Sequence, residues 1–142
     1  MGKINFFKEE IDFKLPNRPT ISRWIKSVIE DEGFKLGNLN YIFCNDAYLL
    51  KINQEYLNHD TFTDIVTFNT AETDTVIEGD IFISIDRVRE NAGKLSVTEQ
   101  GELFRVMIHG VLHLLGYSDK TATQKVEMRK KEDACLSLLT KS

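Results

Sequence analysis

Two histidines one helical turn apart are the residues in this sequence best suited to hold a metal ion. His109 and His113 lie in an uncharged stretch, residues 106–116, whose other positions are all apolar or glycine. A helix that is apolar on every side is buried, and side chains four positions apart project from the same face. Two buried imidazoles need partners, because an unpaired buried polar group costs about 1–3 kcal/mol. A metal ion, or nearby carbonyl and carboxylate groups, would satisfy them, and the pair alone leaves both explanations open.

The residues after His113 extend the pair to the pattern H-x-x-x-H-x-x-G-x-x-D. Gly116 stands where a left-handed residue commonly ends a helix, so the chain can turn back and bring Asp119 to the histidines. Three protein ligands leave positions open, as in catalytic sites, and this set suits Zn²⁺, with Mn²⁺, Fe²⁺ or Ni²⁺ as alternatives. Asp119 by itself would be interpreted as a helix cap or turn residue, but its spacing from the histidines favours ligation.

The same spacing occurs in the metzincin peptidases, which read H-E-x-x-H-x-x-G-x-x-H. Their glutamate activates the zinc-bound water, and the matching position here is Gly110. Glycine has no side chain that could accept a proton, so the sequence argues against peptidase activity.

The elements that must position these residues follow from the apolar pattern. Short β-branched and aromatic runs predict strands over residues 4–7, 39–44, 65–70 and 79–85. Helical periodicity and capping residues predict helices that begin near residues 19, 46, 86, 98 and 121, with Asp86 as one of the caps. The order βαβαββααα predicts an α+β fold: one small mixed β-sheet with helices mainly on one face, the metal-binding helix among them.

Composition limits the class of protein. The chain has 142 residues, 42% hydrophobic and 28% charged, which suits one folded domain over residues 1–142. No apolar run approaches the ~20 residues of a membrane span, and the N-terminus lacks the apolar core of a signal peptide, so a cytoplasmic protein is expected. In that compartment Cys44 and Cys135 are expected to be reduced and buried. The net charge of −4 means that any contact with RNA requires a local basic patch.

Several motifs together resemble one family. The segment HGVLHLLGY, residues 109–117, resembles the H-G-x-L-H-L-x-G-Y-D-H signature of the YbeY endoribonucleases. Leu50–Leu57 is similar to the L-N-x-x-Y helix of that family, Thr63–Phe68 to its T-[DN]-V-L-S-F strand, and Gly79–Ile83 to its G-D-[IV]-x-I strand. The order and separations also agree, so the resemblance extends over about residues 40–135.

This resemblance implies a cytoplasmic protein with a zincin-like α+β domain and one metal ion, usually zinc. The implied activity is metal-dependent cleavage of single-stranded RNA in maturation of the small-subunit rRNA 3′ end and in ribosome quality control. The implied partner is the pre-ribosomal small subunit, with ribosomal proteins or an assembly GTPase as further candidates. A non-catalytic ribosome-assembly factor with a structural metal is the alternative, ahead of a metallopeptidase.

The sequence departs from the family pattern at three positions. Asp119 stands where the third ligand is usually His, and Ser118 replaces an aspartate that could support the ligands. Leu57 replaces an arginine associated with RNA or phosphate, and leucine cannot bind phosphate. Either another cation substitutes for it, the candidates being Lys51, Arg105 and Lys120, or catalysis is weaker.

The general base and the RNA-binding residues are less well defined. Candidates for the base are Asp64, Asp80 and His59, with turn formation, support of a ligand or a solvated loop as the alternative roles. A basic cluster on the last helix could follow a phosphate backbone, its candidates being Lys120, Lys125, Arg129 and Lys130. Because Glu127, Glu132 and Asp133 interleave with these cations, the alternative is an ordinary solvated helix face.

Overall fold

The computed structural model describes residues 2–57 and 63–140, which form four strands and five helices in the predicted order. The strands are β1 (Lys3–Glu9), β2 (Lys35–Cys44), β3 (Ile65–Asn69) and β4 (Val76–Ser84). The helices are α1 (Arg18–Asp31), α2 (Asp46–Leu57), α3 (Ile85–Leu95), α4 (Glu99–Leu114) and α5 (Ala122–Thr140). In these residues no helix is long and apolar enough to cross a membrane.

The four strands form one mixed sheet in the order β1-β2-β4-β3. β1 and β4 run parallel to β2, whereas β3 runs antiparallel to β4. One face of the sheet belongs to the main core, to which α1, α3, α4 and α5 also contribute buried residues. On the other face, Leu49 of α2 packs with Cys44 and Val66 in a smaller cluster. The prediction of an α+β fold with helices mainly on one face is therefore confirmed.

Helix α4 lies directly on the sheet. A side chain at Gly110 would bring its Cβ within 2.9 Å of Ile65 Cδ1 and 3.0 Å of Ile81 Cγ2, so only glycine lets the helix approach this closely. The Tyr41 hydroxyl donates a hydrogen bond to the Met107 carbonyl at 3.0 Å, which ties the helix to β2. The helix is thereby fixed against β2, β3 and β4.

The predicted helix caps are confirmed with one correction. Asn45 accepts a hydrogen bond from the amide of Tyr48, and Thr98 accepts one from the amide of Gly101. Asp86, predicted as the cap of α3, lies instead inside its first turn, and the cap is Ser84. β4 runs directly into α3 without a loop, so the change to helical backbone comes two residues earlier than predicted.

The cysteines are as expected. Cys44 and Cys135 are both buried and both free. Cys44 lies in the smaller cluster on the α2 side, whereas Cys135 belongs to the main core.

Candidate metal centre

The side chains of His109, His113 and Asp119 converge on one point and could hold a metal ion. The two Nε2 atoms lie 2.9 Å apart. Asp119 Oδ2 lies 3.3 Å from Nε2 of His109 and 3.5 Å from Nε2 of His113. Ligands bound tetrahedrally to zinc at 2.0–2.1 Å stand about 3.3 Å from one another. The three atoms thus have the spacing of one face of a coordination tetrahedron.

The end of α4 brings Asp119 to the histidines. Gly116 has φ +107°, its amide donates to the His113 carbonyl at 3.0 Å, and the Tyr117 amide donates to the Leu112 carbonyl at 3.0 Å. This pair of bonds is a Schellman motif, which ends the helix and reverses the chain. The next helix is capped by Thr121, whose hydroxyl accepts a hydrogen bond from the amide of Gln124 at 3.1 Å. Asp119 therefore has no role as the cap of α5.

Glu132 on α5 contacts His109 through the ring nitrogen that is not directed at the other two donors. Its side chain is nearly buried, 4% exposed, and its Oε2 lies 2.5 Å from Nδ1 of His109. A carboxylate at this distance accepts the Nδ1 hydrogen, which leaves the Nε2 lone pair of His109 directed at the other ligands. The neutral tautomer that a metal requires is thus selected by Glu132.

Arg105 in turn neutralises Glu132. One guanidinium nitrogen donates to Glu132 Oε1 at 2.9 Å, and the other donates to Asp133 Oδ1 at 2.6 Å. A buried carboxylate needs such a partner, because an isolated buried charge is strongly unfavourable. Arg105, a candidate substitute for the phosphate-binding arginine missing at Leu57, is instead engaged with two carboxylates.

Sequence reasoning missed the role of Glu132, which it placed on a solvated helix face. A signal for it exists in the sequence. Met128, Glu132 and Cys135 recur at helical spacing, and all three are buried on one side of α5. An acidic residue on an otherwise apolar helix stripe indicates a buried partner.

The pKa values of the two histidines diverge. Burial lowers the pKa of His109, but the hydrogen bond that His109 donates to Glu132 and the negative charge of Glu132 outweigh burial, so the pKa is raised overall. Burial and the neighbouring His109 lower the pKa of His113. The lowered pKa of His113 favours the neutral form that coordinates a metal, whereas the raised pKa of His109 means that a metal ion competes with protons there.

Asp64 lies beside the metal-binding group. Together with His109 and Arg129 it lines a cavity of about 210 Å³. Burial raises the pKa of Asp64, an effect that the charge of His109 reduces in part. Among the candidate bases in the described residues, Asp64 is the one that lies beside the histidines, where it could accept a proton from a substrate.

Asp80 faces the other side of the sheet. Its Oδ1 accepts a hydrogen bond from Asn40 at 2.9 Å, and Asn40 accepts one from Asn5 at 2.9 Å. Its neighbour Ile81 lies under Gly110, and successive strand residues point to opposite faces. The structure therefore separates Asp80 from the histidines and gives it a cross-strand structural role. His59, the third candidate, lies outside the described residues.

The basic cluster is only partly directed at this site. Arg129 lines the cavity beside His109. Lys130 pairs with Glu127 at 3.8 Å. Lys120 directly follows Asp119 and is exposed. Lys125, in the first turns of α5, is also exposed. Lys51, another candidate, pairs with Glu55 at 3.9 Å on α2, across the sheet from the histidines.

Comparisons with known proteins agree over nearly the whole chain. Residues 3–140 match the model of the family described as Endoribonuclease YbeY. The chain is 51% identical to Endoribonuclease YbeY of Cytophaga hutchinsonii, over 95% of this chain and 94% of the relative. It is 54% identical to Endoribonuclease YbeY of Amoebophilus asiaticus, over 92% and 89%. The solution structure of TM1509 from Thermotoga maritima resembles it with a TM-score of 0.63 and 27% identity, covering 92% of this chain and 86% of that one.

Proposed function

This chain belongs to the YbeY family of endoribonucleases, and we propose that it cuts single-stranded RNA with a divalent metal ion held by His109, His113 and Asp119. The observation that carries this proposal is the convergence of three donor atoms within 4.8 Å of one another. Glu132 supports it, because a carboxylate that accepts the Nδ1 hydrogen of neutral His109 places the lone pair on Nε2, the nitrogen directed at the other two donors.

Zinc is the ion that the donor set favours. Two imidazole nitrogens and one carboxylate oxygen are common zinc ligands, and three protein ligands are typical of catalytic rather than structural zinc. Mn²⁺, Fe²⁺ and Ni²⁺ accept the same donors. When bound, such an ion supplies Lewis acidity toward a phosphoryl oxygen and lowers the pKa of water.

The residues around the ion would do the rest of the chemistry. Asp64 is proposed as the general base: a carboxylate oxygen accepts the proton of the attacking group, either a water molecule or the 2′-hydroxyl of the RNA. Because burial raises its pKa, the carboxylate is a stronger base than an exposed aspartate. Arg129 lines the same cavity and is proposed to bind the phosphate whose P–O5′ bond breaks.

A peptidase mechanism has no support at the corresponding position. Gly110 is packed against Ile65 and Ile81 on the sheet side of α4, so a glutamate there would have neither space nor access to the ligands. The metzincin general base therefore has no counterpart at this point of the helix.

We extend the proposal to the biological substrate on the strength of the family. The substrate is the single-stranded 3′ region of small-subunit rRNA precursors, cut in the cytoplasm during maturation and quality control of the ribosome. Its partner is the pre-ribosomal small subunit, with ribosomal proteins or an assembly GTPase as candidates for positioning the RNA. Residues 1–142 are proposed to act as one domain.

Chelation separates this proposal from a non-catalytic assembly factor with a structural metal. Removing the ion should abolish cleavage of single-stranded RNA while the far-ultraviolet circular dichroism spectrum is unchanged, and added Zn²⁺ should restore cleavage. Loss of the helical spectrum on chelation would instead mean that the ion holds the fold together.

A further inference from the structure

A second cavity lies at the edge of the sheet, between β1 and the segment that leads into α1. It measures about 400 Å³ and is lined by aromatic rings and three cations, Lys8, Lys14 and Arg18. No carboxylate lines it among the residues that the structure describes. In a chain with a net charge of −4 this is a local concentration of positive charge.

These cations have no acidic partner within the described residues. None of the three takes part in an ion pair there, and the guanidinium of Arg18 lies 5.8 Å from the centre of the Phe6 ring. Phe6 and Lys8 project to the same side of β1, whereas Glu9 projects to the other side because strand side chains alternate. The cavity therefore has positive charge for an external anion to balance.

The start of α1 adds to this charge. The helix begins at Arg18, its first turn holds no acidic residue, and the side chain of Asn17 does not cap it. Pro19 has no amide hydrogen, but the other free amides at the N-terminus of the helix carry partial positive charge, which favours anions. The helix N-terminus and the three cations therefore both favour an anionic ligand.

An aromatic ring packed against the core completes the cavity. Phe13, partly buried, is held in place by the Phe43 ring, the centroids being 4.9 Å apart. Aromatic rings beside cations are the combination that binds single-stranded nucleic acid, with bases stacked on rings and phosphates on cations.

We propose that this cavity is a second binding site for single-stranded RNA, away from the metal centre. A base stacks on Phe13, and the phosphates on either side of it lie against the cations. The inference rests on the proposed function in one respect, that RNA is the ligand of this protein.

The position of the cavity suits an RNA that also reaches the metal centre. Lys8, Phe43, Ile83 and Ile65 are adjacent in one row across the sheet. Lys8 lies at the cavity, and Ile65 follows Asp64 beside the histidines. Three strand spacings of about 4.8 Å separate the two ends of this row, or roughly 14 Å. Because Phe43 and Ile83 in this row are buried beneath the helices, an RNA that contacts both sites passes over the surface of the protein, along a path longer than this distance.

A binding experiment tests this site independently of cleavage. The probe is a fluorescent 2′-O-methyl oligouridylate of about ten nucleotides, which lacks the nucleophilic 2′-hydroxyl and whose integrity is checked on a gel. The metal-loaded full chain is titrated at several salt concentrations. The site variant carries Gln at Lys8, Lys14 and Arg18; the control carries Gln at Lys26, Lys35 and Lys94, with the same change in net charge.

The site variant should bind at least about tenfold more weakly than wild type, and its slope of log affinity against log salt should be smaller by about 2. Phe13→Leu should lose about tenfold in affinity without a change in that slope, because leucine keeps an apolar contact with Phe43 but has no ring on which a base can stack. Equal losses in the site and control variants would overturn the proposal, as would unchanged binding by Phe13→Leu. Thermal melting checks that each variant is folded.

Cleavage measured on the same preparations separates this proposal from the function itself. The site variant should cut single-stranded RNA with an unchanged kcat and a raised KM. If wild type cuts RNA and the two triple variants bind alike, the second site is wrong and the endoribonuclease proposal stands. If binding differs as expected but wild type cuts nothing, the proposed catalysis is wrong and the second site stands.

Discussion

The carboxylate of Glu132 lies 2.5 Å from Nδ1 of His109 and connects α5 to α4, the helix that carries both histidines. This contact fixes which nitrogen of His109 carries the hydrogen, and Arg105 neutralises the carboxylate that makes it. In the sequence, the site consists of two histidines and an aspartate. In the structure, a second set of charged groups holds these residues in place. Its properties should depend on residues that never touch the ion.

Replacing Glu132 with Gln should weaken metal binding by about 10–100-fold, because the neutral amide holds His109 less strongly and makes it a poorer donor. Competition with a chelator of known affinity measures the change. Asp133→Asn is the matched control: Asp133 pairs with Arg105 but does not contact His109, so metal affinity should be unchanged. Equal effects of the two substitutions would show that Glu132 acts only through Arg105.

Asp119→Ala should lower metal occupancy sharply, whereas Asp119→His should retain it. Alanine removes one of the three converging donors, and histidine restores the ligand usual in the family. Metal analysis of the purified variants gives the answer. Full occupancy in Asp119→Ala would remove Asp119 from the site.

Asp64→Asn should lower kcat by about 10²–10⁴-fold with metal occupancy unchanged, since the amide cannot accept the proton. Asp80→Asn is the control, because Asp80 faces the opposite side of the sheet and hydrogen-bonds to Asn40. Cleavage rates and metal content are measured on both. A rate for Asp64→Asn close to that of wild type would exclude it as the base.

Gly110→Ala should destabilise the fold by about 1–3 kcal/mol, because the new methyl group meets Ile65 and Ile81 at 2.9 and 3.0 Å. Gly93→Ala in α3 is the control, since nothing lies within 4 Å of its added Cβ, and it should stabilise by about 0.5–1 kcal/mol. Urea unfolding measures both. Stabilisation by Gly110→Ala would mean that α4 does not rest on the sheet as described.

The order of elements could be predicted from the sequence because each strand and helix carries its own local pattern. The three converging donors could also be predicted from the sequence, because two lie one turn apart on a helix and the third follows the glycine that ends this helix. Ser84 rather than Asp86 caps α3, because the strand enters the helix without a loop. Such a junction has no polar loop segment that would mark the start of the helix in the sequence.

Contacts between elements that are distant in the sequence could not be predicted in the same way. Glu132 lies 23 residues from His109, and its sequence neighbours Glu127 and Asp133 are also acidic. The apolar stripe of Met128 and Cys135 singles out Glu132 as the buried one, but only the packing of α5 on α4 decides which residue it contacts. Asp64 directly precedes β3 and Asp80 lies inside β4, and only the register of β3 against β4 decides which of them faces the histidines. Such choices depend on the three-dimensional arrangement rather than on local pattern.

The most direct test is cleavage of a single-stranded precursor of the small-subunit rRNA 3′ end by wild type and His113→Ala, purified side by side. The paired variant controls for contaminating ribonuclease, and circular dichroism checks its fold. We expect wild type to cut the RNA and the folded variant to leave it intact, because His113 provides one of the three donors of the metal centre. Equal cleavage by both proteins, or cleavage by neither, would contradict a catalytic metal at this site.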